Sequence, residues 1–396
     1  MGVASAAPLT CARQSCRPRA RTLPRLAVAV VVPLAALATS ARPYHAAAEA
    51  APPTIQPDGV AFWDAEDGLM VATLTTPACV DGTSACPGGL VEHTRNGGRT
   101  WQVVDRANKP LDSVAVAPGG VAWVTSGRCG PASPNACGSS QILVTSDGGS
   151  KWATVTSRTL VTSVAPVSAT AAWAVAGASG AGFPVGTVLV RSTDRGRTWH
   201  QAGDPCHHTA GLAPWDVDFA NLSRGWAMCV TQPATDMQAK ALFSTSDAGA
   251  TWHLQSDCLL PVSPRPPVDV GSSSCVGYLP GLQVRADGYG WTWSDRYGLA
   301  ATEDGGHRWA QIAERVVVDD ANSVLSASLV GKGTGFVLVS HAISGPGCSP
   351  RGCGPQLLFT ADAGTTWTEV HHWKSPSEVA SPSRRVPPPA MLQGPA

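Results

Sequence analysis

The residues of this chain that could do chemistry fall in its connecting segments. Cys206, His207 and His208 stand in a row and are of the types that bind zinc or copper. Adjacent histidines in one connecting segment project in different directions, so a solvated turn explains the triplet more simply, and no metal site is expected. Asp295, Arg296 and Tyr297 set a carboxylate, a guanidinium and a phenol side by side. They could serve a covalent hydrolysis, although decoration of a short turn accounts for them more simply. Arg128, Asp204, Asp236, Arg265 and Arg351 complete the polar groups that could contact a ligand. With His207 and His208 they form no recognisable catalytic constellation, so they are candidate binding residues. No catalytic residue and no cofactor is assigned.

What must position these groups is a repeat. Six times the chain returns to one phrase, from Thr94-Arg-Asn-Gly-Gly-Arg-Thr-Trp101 through Thr145–Trp152, Ser192–Trp199, Thr245–Trp252 and Thr302–Trp309 to Thr360-Ala-Asp-Ala-Gly-Thr-Thr-Trp367. The steps between its tryptophans are 51, 47, 53, 57 and 58 residues, close to the periods of stacked or radial repeats. Apolar strand residues precede the phrase, the Asp-x-Gly core reverses the chain, and strand-like residues follow. Asp bonds nearby backbone N–H groups and Gly accepts positive φ, so each suits a tight turn. The recurring residues are Asn96, Asp147, Asp194, Asp247, Asp304 and Asp362, with Trp101, Trp152, Trp199, Trp252, Trp309 and Trp367. All are read as structural.

These turns resemble the Asp-box of the BNR-repeat family, Ser/Thr-x-Asp-x-Gly-x-Thr-Trp, which sialidases, sortilin-type receptors, some glucan hydrolases and photosystem II assembly-factor-like propellers share. A second phrase precedes each turn, as in Gly120-Val-Ala-Trp123, Thr170-Ala-Ala-Trp173, Gly225-Trp226, Gly290-Trp291 and Gly335-Phe336, with Gly68-Leu69 as a divergent first copy. Before it comes a short alternating strand such as Trp215-Asp-Val-Asp-Phe219. Each unit is therefore strand A, turn, strand B, variable loop, strand C, Asp-x-Gly turn and strand D. The expected fold is all-β, a six-bladed propeller of four-stranded antiparallel blades over residues 55–373, with seven blades as the alternative count. The resemblance implies that ligands bind on the face opposite the Asp-boxes. It does not carry sialidase chemistry. The Phe/Tyr-Arg-Ile-Pro motif is absent, and only Tyr278, Tyr289 and Tyr297 follow the leader.

Residues 1–48 read as an export signal, with five arginines before an apolar run over 26–41, no acid before Glu49 and small residues after the run. The run is shorter than the ~20 residues of a membrane span, so cleavage is favoured over anchoring. Residues 49–54 form a short linker, and the Pro- and Ser-rich composition of 374–396 predicts a disordered tail. Without the leader, 22 basic residues face 28 acidic ones, a net charge of −6 that argues against nucleic acid as a partner.

Ten cysteines remain after the leader. Spacing alone does not fix connectivity, but the blade register suggests Cys79–Cys86, Cys129–Cys137, Cys206–Cys229, Cys258–Cys275 and Cys348–Cys353. All ten then fall on the face of the B–C loops and blade links. Stapled loops suit a rigid binding face, and they equally protect an exported protein from unfolding. Of fourteen tryptophans, the six in the turns and Trp123, Trp173, Trp226 and Trp291 read as core, which leaves Trp63, Trp215, Trp293 and Trp373 free for other work. His371 and His372 are expected to be exposed after the last strand. The chain is read as a secreted or cell-envelope monomer, a non-catalytic binding or assembly module for a protein or cell-envelope glycan, meeting a membrane only if the leader is kept. A glycoside hydrolase using the Cys-rich face is the alternative.

Overall fold

A computed structural model describes residues 53–80, 86–126, 139–177, 179–180, 183–184, 186–207, 211–232, 238–258, 278, 280–294, 298–312, 322–341 and 354–374. All belong to one unit, Ala51–Ala396. Blade 1 is β1 (Thr54–Phe62), β2 (Gly68–Thr75), β3 (Gly88–Thr94) and β4 (Gln102–Ala107), with a helical turn α1 (Pro77–Val80) after β2. Blade 2 is β5 (Ser113–Ala117), β6 (Val121–Ser126), β7 (Ser140–Thr145) and β8 (Ala153–Ser157). Blade 3 is β9 (Val161–Pro166), β10 (Ala172–Ala176), β13 (Val188–Ser192) and β14 (His200–Gln201), and the hairpin β11 (Ser179–Gly180) and β12 (Phe183–Pro184) lies between its second and third strands. Blade 4 is β15 (Ala213–Phe219), β16 (Gly225–Val230), β17 (Lys240–Thr245) and β18 (His253–Cys258). Blade 5 is β19 (Gly281–Val284), β20 (Gly290–Ser294), β21 (Gly298–Thr302) and β22 (Ala310–Gln311). Blade 6 is β23 (Asn322–Gly331), β24 (Thr334–His341), β25 (Gln356–Thr360) and β26 (Thr368–His372). Every blade is antiparallel and built from a continuous stretch of chain, giving the six-bladed propeller expected. Among the described residues no helix is long and apolar enough to cross a membrane.

The Asp-x-Gly turns are small hydrogen-bonded cages. The first hydroxyl of each (Thr94, Thr145, Ser192, Thr245, Thr302, Thr360) accepts the glycine N–H four residues on at 2.9–3.1 Å. It donates to the Asp or Asn oxygen two residues on. That oxygen accepts the backbone N–H of Thr100, Lys151, Thr198, Thr251, Arg308 or Thr366 at 2.8–2.9 Å. In three copies the second Asp oxygen also takes a Thr hydroxyl, a bond that Lys151 and Arg308 cannot supply. Asn96 reverses it, donating from Nδ2 to Thr100. The next N–H along, from Gly97, Gly148, Arg195, Ala248, Gly305 and Ala363, bonds the A–B turn of its own blade at 2.8–3.0 Å. These six residues take positive φ, three of them without being glycine.

Tryptophans join blade to blade. Trp123 donates to Ser168 O of blade 3, Trp173 to Ala248 O of blade 4 and Trp226 to Gly305 O of blade 5; each is at most 1% exposed. The glycine that opens the second phrase serves close approach: a Cβ on Gly225 would sit 2.5 Å from the Phe219 ring, and one on Gly68 2.4 Å from Phe62. Two expectations need correction. Trp63 and Trp373 are not free: Trp63 donates to Ala117 O and Val121 O of blade 2, and Trp373 is buried with Val60, Phe62 and Phe336 where blade 6 meets blade 1. Nor are His371 and His372 simply exposed. His371 bonds Arg99 O and packs on Trp373, while both ring nitrogens of His372 are buried, because blade 1 covers the last strand.

Candidate functional site

The first strand of every blade faces the axis, and together these strands enclose a cavity of about 190 Å³. Strands A descend from the blade links towards the A–B turns, so their first residues surround the mouth on the loop face. Four of the strands carry a β-bulge. The register skips Asp58 in β1, Thr162 in β9, Trp215 in β15 and Leu325 in β23, and these four residues line the cavity. A bulge re-aims its extra side chain, and here it turns a carboxylate, a threonine, an indole and a leucine to the lumen. Blade 5 reaches the same place differently. Gly281 of β19 has no side chain, and a Cβ there would lie 2.1 Å from the Trp293 ring, so Trp293 of β20 extends past the inner strand into the lining.

Four carboxylates line the cavity, Asp58, Asp112, Asp216 and Asp218, and no Lys, Arg or His does so among the described residues. Asp58 accepts the Thr73 hydroxyl at 2.6 Å. The Asp-Val-Asp alternation of β15 puts Asp216 and Asp218 on one side and Val217, 3% exposed, on the other. Asp216 accepts Leu282 N–H at 2.8 Å through one oxygen and the Ser163 hydroxyl and Val217 N–H through the other. Asp218 accepts Val284 N–H at 2.6 Å. The walls enclose Asp218 and its burial drives its pKa up to about 7; the Val284 bond opposes this and the Asp216 charge adds to it. The pair thus fastens blade 4 to blade 5. Gln283 does the same for Leu329 N–H of blade 6, and Ser326 and Ser328 for Val60 and Phe62 N–H of blade 1. A free inner strand edge is in this way satisfied by its neighbour's side chains.

Of the candidate binding residues, Asp204 and His207 lie in the link between blades 3 and 4. Asp204 Oδ1 accepts Cys206 N–H and Asp204 O bonds His207 Nδ1 at 2.6 Å, so both close the turn that carries Cys206. Arg128, His208, Asp236, Arg265 and Arg351 lie outside the described residues, as do Asp295, Arg296 and Tyr297. Disulfides join Cys79 to Cys86 and Cys206 to Cys229, with Cα separations of 4.9 and 5.9 Å; Cys258 is disulfide-bonded too. Cys129, Cys137, Cys275, Cys348 and Cys353 fall outside the described residues. No group of three or more His, Cys, Asp or Glu that could hold a metal occurs among the described residues.

Sequence reasoning passed over Asp58, Asp112, Asp216 and Asp218 as site residues. Two signals for this lining were present: the Asp-Val-Asp alternation, and the prolines Pro57 and Pro214 directly before two bulged residues, since proline inside a strand favours a bulge.

No family model and no curated protein matches this chain. Solved structures do. A protein of unknown function from Dyadobacter fermentans aligns over 79% of this chain and 98% of its own, at 11% identity and a TM-score of 0.50. YCF48 bound to a D1 peptide aligns over 81% of this chain and 82% of its own, at 16% identity and a TM-score of 0.41. A GH74 xyloglucanase from Xanthomonas campestris aligns over 81% of this chain, which spans 45% of that enzyme, at 14% identity and a TM-score of 0.45. These likenesses concern the β-propeller fold.

Proposed function

We propose that this chain is an exported Asp-box propeller of the BNR type that binds a partner over the channel mouth on its disulfide-stapled face and performs no chemistry there. The observation that carries this reading is the state of the lumen carboxylates. A glycosidase needs two carboxyl groups on either side of the scissile bond, whereas of the four carboxylates Asp216 and Asp218 stand side by side on one strand and already hold backbone N–H groups of the next blade, and Asp58 already holds the Thr73 hydroxyl of its own blade. The side chains that the bulges and Gly281 turn inward, Trp215 and Trp293 among them, suit recognition. The disulfides fit an oxidising compartment, which agrees with residues 1–48 acting as an export signal.

Co-sedimentation of the secreted protein with its own cell-envelope fraction tests this, with soluble reducing sugar measured in parallel. Wild type should pellet with the fraction, the Trp215→Ala/Trp293→Ala variant should stay soluble, and no reducing ends should appear. Reducing ends released by wild type but not by Asp216→Asn would establish the hydrolase instead. Unchanged pelleting of the double variant would remove the mouth as the binding face.

A further inference from the structure

We infer that β8, the outer strand of blade 2, is a docking edge at which a second copy of this chain adds its own β8 in antiparallel pairing. The inference is independent of the binding role proposed above, and it replaces the monomer that the sequence suggests with a twofold dimer.

The fourth strand of each propeller blade ends its sheet and presents a row of unpaired N–H and C=O groups. Native proteins blunt such edges with bulges, charges or short strands. Five of the six outer strands here are blunted. β14 and β22 are two residues long. In β4, β18 and β26 the register skips Val104, Gln255 and Val370. The same three strands carry charge as well, from Asp105 and Arg106, from Asp257 and from Glu369.

β8 has none of these devices. Its five residues, Ala153-Thr-Val-Thr-Ser157, pair with β7 in unbroken register. None of them is ionisable, and Thr154, Val155 and Thr156 are β-branched, which suits an extended strand. β8 ends its sheet, and its backbone bonds nothing outside that sheet among the described residues. Thr154 and Thr156 are exposed, while Val155 and Ser157 are buried.

The sequence around β8 also fits a second copy of itself. Turned antiparallel about Val155, it sets Thr154 opposite Thr156, Ala153 opposite Ser157, Trp152 opposite Arg158 and Lys151 opposite Thr159 of the second copy. No like charges meet, and two Thr–Thr pairs face each other, a favourable cross-strand combination. Each copy offers one such edge, so the pairing closes at two. A ladder this short belongs to the weak end of specific interfaces, with a dissociation constant of about 1 to 100 μM.

Sedimentation equilibrium of the full chain at concentrations spanning that range tests the inference on wild type, Thr154→Lys/Thr156→Lys and Thr154→Glu/Thr156→Glu. Wild type should reach a dimer and go no further. Each variant alone should associate at least about tenfold more weakly, because the register sets its like charges opposite each other. An equimolar mixture of the two variants should recover the dimer, which a misfolded variant could not do. Val103→Lys, on the bulged edge of blade 1, should leave association as in wild type. Amide exchange should slow at 153–157 as the dimer forms. A wild type that stays monomeric, a dimer indifferent to the lysine pair, a mixture that does not recover, or slowed exchange confined to another strand would each overturn the inference.

Discussion

Phe62 of blade 1 and Phe336 of blade 6 stack with ring centroids 3.7 Å apart and planes 11° from parallel. Trp173 of blade 3 and Phe219 of blade 4 stack almost identically, at 3.9 Å and 9°. The ring therefore closes through an ordinary seam, with no strand passed from one terminus to the other blade. Phe62→Ala removes a ring that is 2% exposed and should cost about 3–5 kcal/mol in chemical denaturation, the range for large core truncations. A loss under about 1 kcal/mol would mean that this seam is not needed for cooperative folding.

Inside the Asp-x-Gly turns, the hydroxyl is the buried half. Thr245 is 2% exposed and takes Gly249 N–H at 2.9 Å. Thr245→Val keeps the shape but strands that donor, so it should cost about 1–3 kcal/mol. Asp247, at the exposed end of the cage, should cost less when replaced by Ala, and neither change should alter binding at the mouth.

The same turn has an acid limb. The Thr251 hydroxyl and N–H, followed by the Thr245 hydroxyl, hold the Asp247 pKa down to about 2. A pKa depressed in the folded state adds stability above the unfolded carboxylate value and loses it as pH falls through about 2. Asp247→Asn should flatten that part of the stability curve, read as melting temperature against pH.

Asp218 behaves in the opposite sense. Its folded pKa is raised to about 7, so the unfolded chain ionises first. Stability should be greatest below the ordinary carboxylate range and decline up to pH ~7, by at most about 1.4 kcal/mol per pH unit. Asp218→Asn cannot ionise and still offers an oxygen to Val284 N–H. It should remove the decline, and a slope equal to wild type would show that another group is responsible.

The blades were legible because their signals are local. The hydroxyl, Asp and Gly of each turn bond within one short stretch, so a run such as Thr245–Trp252 specifies its own conformation. The channel was not legible in the same way. Asp58, Trp215 and Leu325 face the lumen only because the pairing register slips beside them, and Trp293 does so only because Gly281, twelve residues earlier, lacks a side chain. Those are relationships between strands, invisible to a period-2 pattern within one strand. The loop candidates differ again: Asp204 and His207 look like free ligands in sequence, and in the structure they also close the turn around Cys206, a local role that their residue types alone do not announce.

Hydrogen–deuterium exchange of the purified protein, with and without the cell-envelope fraction of its source, tests partner binding at the mouth most directly. Protection should rise at the loop-face ends of the inner strands, in peptides covering 54–58, 112–115, 213–216 and 280–283, and leave the Asp-x-Gly turns unchanged. Protection confined to those turns, on the opposite face, would contradict the account.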